Sequence, residues 1–276
     1  MLHALSFDVE EYFQVANLRR RFPRATWDEV PSRLMIGMER VLAALERHDA
    51  RATFFFLGWV AERHPALVRR CLDGGHEVAS HGYDHSFLAE LGRDGLAADL
   101  ERTERALAAA GAPAPRGFRA STFSLNRATW WAFDVLVERG YRYDSSVHPV
   151  RHPDYGVPGF EPGASRVAAP SGGGEIVELP VSTYPFLGRN WPVGGGGWFR
   201  LLPGAVTRAA LASLERRGRP AALYLHPWEL DPDQPRCPAP ALKRWRHYHN
   251  LDRTLPRLER LLRRFRFGTY EDVLAG

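Results

Sequence analysis

Two stretches decide the fold: Ala52-Thr53-Phe54-Phe55-Phe56-Leu57-Gly58, and after it Gly74-Gly75-His76-Glu77-Val78-Ala79-Ser80-His81. The first run is continuously apolar, as a strand buried on both faces should be. Ala61 to Leu72 reads as a helix, and Gly74-Gly75 stops it. His76 to Ser80 then reads as the next strand. A strand, a helix and a second strand in this order form a parallel pair joined by a helical crossover.

The same rhythm runs outward from this unit. Leu5 to Val9 reads as the first strand. Ser32 to His48 carries Leu34, Met38, Val41, Leu42 and Leu45 at helical spacing, with Ser32 as its cap. Gly95 to Ala110 and Asn126 to Arg139 read as helices around a short strand, Gly117 to Ala120. Tyr141–Asp144, Ile176–Leu179, Ala221–His226 and Phe267–Tyr270 complete the strands, and Gly204–Arg217 and Leu251–Arg264 the helices. Repeated strand–helix units without a break in composition predict one barrel-like α/β domain over residues 1–276. Two stretches interrupt the rhythm. Val147 to Gly174 is rich in Pro, Gly and aromatic residues, and Pro185 to Pro203 holds Trp191, Trp198 and the glycines Gly194 to Gly197. That glycine run lacks the Gly-Lys-Ser/Thr ending of a nucleotide-binding loop.

Composition narrows the partners. The net charge is +5, yet Lys243 is the only lysine, and the arginines are spread along the chain at helical spacings. This argues against a nucleic-acid surface. The group Arg257, Arg260, Arg263, Arg264 and Arg266 reads as the exposed face of the last helix. No apolar run approaches the roughly 20 residues of a membrane span. Met1-Leu2-His3-Ala4 lacks a basic leader and a cleavage site, which predicts a cytoplasmic location. Cys71 and Cys237 form no C-x-x-C pair, and Cys71 reads as a buried thiol.

The chemistry gathers where strands end. In Ser80-His81-Gly82-Tyr83-Asp84-His85 the histidines sit at positions i and i+4, a spacing that lets both imidazoles reach one cation. Asp8, Glu10 and Glu11 close the first strand. Arg119 follows Gly117-Phe118, Asp144 opens Asp-Ser-Ser-Val-His, and Leu223-Tyr224-Leu225-His226-Pro227-Trp228 ends on a histidine before a proline. In parallel-stranded barrels the active site lies at these C-terminal strand ends. His247 and His249 read as exposed loop residues. Tyr83, Trp198 and Trp228 are candidates to stack against sugar rings.

At these residues the chain resembles the polysaccharide deacetylases (carbohydrate esterase family 4, NodB homology). The motifs are Ala-Thr-Phe-Phe-Phe-Leu-Gly and Gly-Gly-His-Glu-Val-Ala-Ser-His-Gly-Tyr-Asp-His, within residues 52–85. The run from Asp8 to Phe13 and Tyr224-Leu225-His226-Pro227-Trp228-Glu229 are similar to the branch found with exopolysaccharide and PEP-CTERM loci. The resemblance implies a distorted (β/α)7-type barrel, with branch-specific loops and a C-terminal extension over about 147–276. It implies a hydrolase that removes acetyl groups, N-acetyl first among them, from a bacterial polysaccharide or its lipid-linked precursor. It implies one divalent metal ion, zinc foremost, with cobalt, nickel or manganese as alternatives. His81 and His85 would hold the ion, Asp8 would be the general base paired with Arg119, and His226 the general acid oriented by Asp144. The family's second aspartate, a metal ligand, is replaced by Val9; Glu10, the nearer, or Glu11 would supply the missing oxygen, and otherwise the site has only two protein ligands or no metal. Val9 also leaves two other readings open: a metal-independent amidohydrolase, and a carbohydrate-binding barrel without activity.

Overall fold

The computed structural model describes residues 1–152, 155–238 and 240–276. β1 (Leu2–Val9) leads through two 3-10 turns to α1 (Leu34–Arg47), followed by β2 (Thr53–Phe56), α2 (Gly58–Arg63), α3 (Pro65–Asp73) and β3 (Glu77–Ser80). The expected single helix after β2 is two, because Pro65 withdraws its backbone donor and restricts His64 to a non-helical conformation. Next come α4 (Leu88–Ala109), β4 (Gly117–Phe118), α5 (Ala132–Glu138) and β5 (Tyr143–Asp144). The chain continues with β6 (Ser165–Ala168), β7 (Glu175–Glu178), β8 (Thr183–Phe186), β9 (Arg189–Pro192), α6 (Gly196–Leu201) and α7 (Gly204–Arg216). It ends with β10 (Ala222–Leu225), α8 (Ala241–Tyr248), α9 (Leu251–Leu262), β11 (Arg266–Gly268) and α10 (Tyr270–Ala275). The final strand is shorter than expected, because Thr269 caps α10 through Asp272.

The strands order as β10-β1-β2-β3-β4-β5-β7-β6, parallel except for the antiparallel edge pair β6–β7, and β11 adds beside the start of β1. β10 comes from far along the chain and still lies directly against β1, with Phe7 opposite Leu225. Between β7 and β10 no strand ladder forms among the described residues. Instead Ser182 bridges the gap, its N–H donating to the Ala222 carbonyl and its hydroxyl accepting from the Ala222 N–H, at 2.9 and 2.7 Å. The sheet is therefore a distorted barrel, closed on one side by a loop rather than a strand.

Side-chain alternation separates two kinds of core. Phe7, Val9, Phe54 and Phe56 face the helices, in a cluster with Met38, Val41, Leu45 and Val60. Ala4, Phe55, Ala79, Tyr143, Ala222 and Tyr270 pack together in a smaller cluster of their own. Tyr143 and Tyr270 stack there at 5.6 Å, and a Cβ on Gly117 would meet the Tyr143 ring at 2.0 Å. Both cysteines are free and buried, and burial lifts the Cys71 thiol to about 12, so it is inert. Among the described residues, no helix is long and apolar enough to cross a membrane.

The Pro- and Gly-rich stretches are more ordered than their composition suggests. β6 lies within 147–174, of which Pro153 and Asp154 fall outside the described residues, and 185–203 contains most of the β8–β9 hairpin and α6. The glycine run exists for close approach. A Cβ at Gly196 would fall 2.0 Å from the Glu229 carboxylate, and one at Gly194 would fall 2.5 Å from the Ala222 carbonyl.

Candidate active site

The polar groups converge at the C-terminal mouth of the barrel. Asp8 is inside β1, and Val9, the next residue, points the other way into the helix-facing core. Glu10, just past the strand, returns to the side of Asp8, and its N–H donates to the Asp8 carbonyl at 3.1 Å. One residue's shift thus moves the second carboxylate from position 9 to position 10 without moving the strand.

Arg119 organises the floor. It is fully buried and donates five hydrogen bonds, matching its five N–H groups. Nη1 reaches Asp8 Oδ1 at 2.6 Å and Ser6 Oγ at 2.8 Å. Nη2 reaches Ser145 Oγ at 3.0 Å and the Tyr270 hydroxyl at 2.7 Å, and Nε reaches the Ser145 carbonyl at 3.1 Å. The guanidinium lies 4.1 Å over the Phe55 ring. Burial opposes the charge, and Asp8 restores it. The other oxygen of Asp8, Oδ2, lies between two imidazoles, 3.9 Å from His81 Nε2 and 3.9 Å from His226 Nε2.

Glu10, His81 and His85 form the one group among the described residues whose ligand atoms could hold a metal ion, all within 4.8 Å of one another. Glu10 Oε2 is 2.9 Å from His85 Nε2, yet it is buried and lacks a hydrogen bond of good geometry. Two donor atoms so close without a bonding hydrogen between them suit a shared cation. His81 Nδ1 lies 2.7 Å from the Arg119 carbonyl, which fixes the N–H there and leaves Nε2 as the lone-pair atom. Burial, opposed by Asp8 and assisted by His85, lowers His81 to about 4, so it is neutral at pH 7, as a ligand must be. Burial raises Glu10, but His85, His226 and His81 outweigh it and bring the carboxyl down to about 2. The residues therefore fit a divalent ion. Glu11, the other candidate carboxylate, is committed elsewhere: it accepts from the Ser32 hydroxyl and from the Arg33 N–H at the start of α1. Ser32 consequently serves Glu11 and does not cap the helix.

His226 closes the site from β10. Its Nδ1 is 3.1 Å from Glu229 Oε2, and its Nε2 is 3.6 Å from Glu10 Oε1. Burial alone would lower it, but Glu229, Glu10 and Asp8 raise it to about 9, so it carries a proton at neutral pH. Glu229 is held in turn by buried Arg200, whose Nε donates to Oε1 at 2.8 Å. Trp228 stacks on His226 and donates its indole N–H to Glu10 Oε1 at 3.1 Å.

Four expectations need correction. Asp144 does not orient His226. It accepts from the Ser146 N–H and hydroxyl, at 2.9 and 2.6 Å, and faces Glu178 across the β5–β7 pair. The partner of His226 is Glu229, three residues on, which a 3-10 turn after Pro227 folds back onto the imidazole. Tyr83 does not face the cleft. Its hydroxyl donates to Glu62 at 2.6 Å, its ring carries Arg102 at 3.5 Å, and its N–H donates to Asp99, so it anchors the histidine loop from behind. His247 is buried, stacked 4.5 Å from Trp228, rather than exposed. Trp198 and Trp228 do line the cleft, whose volume is about 460 Å³. Sequence reasoning missed Arg200 and Glu229. The Glu229 of the Tyr-Leu-His-Pro-Trp-Glu motif was in view, but nothing local tied it to Arg200. Arg257, read as part of an exposed face, instead donates to the carbonyls of Phe199, Arg200 and Leu202 at 2.8, 2.9 and 3.0 Å.

This parallel-stranded barrel gathers a carboxylate–arginine pair, two histidines and a further carboxylate at its C-terminal mouth, where barrel enzymes of every class carry their active sites. Comparison with known proteins narrows the class. Residues 22–143 match the family described as Polysaccharide deacetylase, and residues 145–275 match a Domain of unknown function (DUF3473). A chitooligosaccharide deacetylase of Sinorhizobium fredii is 30% identical over 155 residues, covering 56% of this chain and 69% of that protein. A peptidoglycan-N-acetylglucosamine deacetylase of Bacillus cereus is 28% identical over 123 residues, 40% of this chain, and the match spans 45% of the length of that relative. A crystal structure from Mycobacterium smegmatis assigned to the polysaccharide deacetylases superposes with a TM-score of 0.65 at 21% identity, covering 99% of this chain and 88% of that one. The family 4 carbohydrate esterase of Streptomyces lividans, solved with acetate, gives 0.51 at 19% identity, covering 95% and 88%. The chain belongs to the polysaccharide deacetylase family.

Proposed function

We propose that this protein is a metal-dependent deacetylase that removes acetyl groups, N-acetyl first, from a bacterial polysaccharide or its lipid-linked precursor, in exopolysaccharide biosynthesis. The observation that carries the reading is the convergence of Asp8, paired with Arg119, and protonated His226 on either side of the Glu10–His81–His85 group. Residues 1–276 act as one domain, since β10 and β11 from the second half flank β1 from the first.

Glu10, His81 and His85 would hold the ion, zinc foremost. When bound, a divalent ion polarises the acetyl carbonyl and makes water a stronger nucleophile at neutral pH. Arg119 fixes Asp8 through Oδ1, leaving Oδ2 directed into the cleft to take a proton from the attacking water. His226 presents Nε2 toward the same space and carries a proton at neutral pH, which it delivers to the departing amine nitrogen. Glu229 fixes the imidazole through Nδ1 and compensates its charge. Trp198 gives the cleft an aromatic surface on which a pyranose ring can stack, whereas Trp228, buried and stacked against His226 and His247, shapes the wall without offering a free face.

The test is acetate release from N-acetylated oligosaccharides, by wild type and Asp8→Asn loaded with zinc. The reading predicts release by wild type and a loss of at least about a thousandfold in the variant. Release that persists after chelation would favour a metal-independent amidohydrolase, and no release from any acetylated saccharide would favour a binding barrel.

A further inference from the structure

The charges lining the cleft fall into two sets. At the floor every carboxylate has a cationic partner: Asp8 has Arg119, Glu10 has His226 and Glu229 has Arg200. At the rim, Lys243 and Arg246 from α8 line the same cleft, both are exposed, and neither makes an ion pair among the described residues. α8 reads Ala-Leu-Lys-Arg-Trp-Arg-His-Tyr, with no acidic residue to balance them.

The position of these cations is built into the site. Buried Arg200, which holds Glu229 through Nε, turns Nη1 to the carbonyls of Arg246, His247 and His249 at 3.1, 2.8 and 3.0 Å. His247 stacks on Trp228, which stacks on His226. One buried guanidinium and one aromatic stack therefore fasten α8 to the imidazole at the floor. Two unbalanced cations beside a charge-compensated floor make the mouth of the cleft positive, which concentrates anions there.

We infer that Lys243 and Arg246 form an anion subsite, and that the substrate is an acidic saccharide. The anionic group lies on the part of the substrate beyond the sugar that bears the acetyl group. Arg246 offers a planar fork to two oxygens, and Lys243 a mobile point charge. A uronate carboxylate within the polymer and a phosphate linking the sugar to a carrier share this chemistry. The inference deepens the deacetylase reading and rests on it.

Equilibrium binding of three unacetylated saccharides of equal length tests it without turnover: a neutral oligosaccharide, an oligouronate and an oligosaccharide 1-phosphate. Wild type should bind at least one anionic ligand tenfold or more tightly than the neutral one, with the advantage shrinking as salt is raised. In Lys243→Ala/Arg246→Ala the advantage should fall below threefold. In Arg105→Ala, outside the cleft on α4, it should persist. A preference for the uronate assigns the charge to the polymer, and one for the phosphate assigns it to a carrier. Equal binding of all three ligands, or an advantage that survives the double variant, would overturn the inference. Acetate release reports separately. Release without anion preference removes the subsite alone, whereas anion preference without release from any acetylated saccharide removes the deacetylase reading and leaves the subsite.

Discussion

His81 and His226 are the same residue type, both inside the mouth of the barrel, each with Nε2 3.9 Å from Asp8 Oδ2, yet they hold opposite charge states. His81 falls to about 4 and His226 rises to about 9. Burial lowers both, so burial does not distinguish them. The difference lies at Nδ1. His81 turns it to a neutral carbonyl, that of Arg119, beside a second imidazole. His226 turns it to the Glu229 carboxylate, with Glu10 close to its other nitrogen. A carbonyl fixes a tautomer, whereas a carboxylate also holds a proton. One side of the site thereby obtains a neutral imidazole, suited to the proposed metal ligand, and the other a charged one, suited to the proposed general acid.

Removing each ring should break the comparison most visibly. His81→Ala should abolish both metal binding and acetate release, whereas His226→Ala should retain metal and lose about 10²–10⁴-fold in turnover, as expected for a lost general acid. Metal analysis alongside kinetics separates them, and equal metal loss in both variants would place His226 among the ligands instead.

Replacing the carboxylate sharpens the comparison. In the metal-free protein the imidazole of His226 should titrate near 9 by NMR. Glu229→Gln should bring it down toward the ordinary 6.5 and shift the alkaline limb of the rate profile of the metal-loaded enzyme to lower pH. Linkage fixes the sign. A histidine whose pKa is raised on folding adds stability that is complete below about 6.5 and is lost as pH rises through about 9. The melting temperature of Glu229→Gln should therefore fall most against wild type near pH 6 and least near pH 10. A deficit independent of pH would mean that Glu229 serves only to anchor Arg200.

The smallest effect concerns the backbone that makes room for that carboxylate. Gly196→Ala sets a Cβ 2.0 Å from Glu229 Oε2 and should displace it, lowering the His226 pKa by less than Glu229→Gln does. An unchanged titration would show that α6 yields instead.

The same comparison explains what was legible in the sequence. The His81 side was readable because its parts are local. His81 and His85 share one loop, Asp8 and Glu10 share one strand end, and the strands that carry them alternate with helices in chain order. Even the substitution at Val9 resolves locally, in the residue that follows it at the strand end. The His226 side was half readable. The apolar run that ends in a histidine predicted β10 and its terminus. The resemblance gives the orienting role to Asp144, a strand-end aspartate. Of its true neighbours, Ser146 is local, two residues on, whereas Glu178 depends on β7 pairing with β5 from beyond β6. Arg200 has no motif, and its role arises only when α6, α8 and the turn after β10 meet. Tyr83 shows the opposite failure: it sits between two site histidines in sequence, but the left-handed Gly82 (φ 74°) and Asp99 turn the loop so that its ring packs away from the cleft.

With Glu10 in the place left by Val9, as proposed, this barrel would still hold a metal. The most direct measurement is metal content and zinc affinity of wild type, Glu10→Gln and Glu11→Gln, purified without affinity-tag histidines. The account predicts about one equivalent in wild type, affinity weakened at least tenfold in Glu10→Gln, and wild-type affinity in Glu11→Gln, whose carboxylate serves Ser32 and Arg33. Unchanged affinity in Glu10→Gln, or no metal in wild type after soaking with excess zinc, would contradict it.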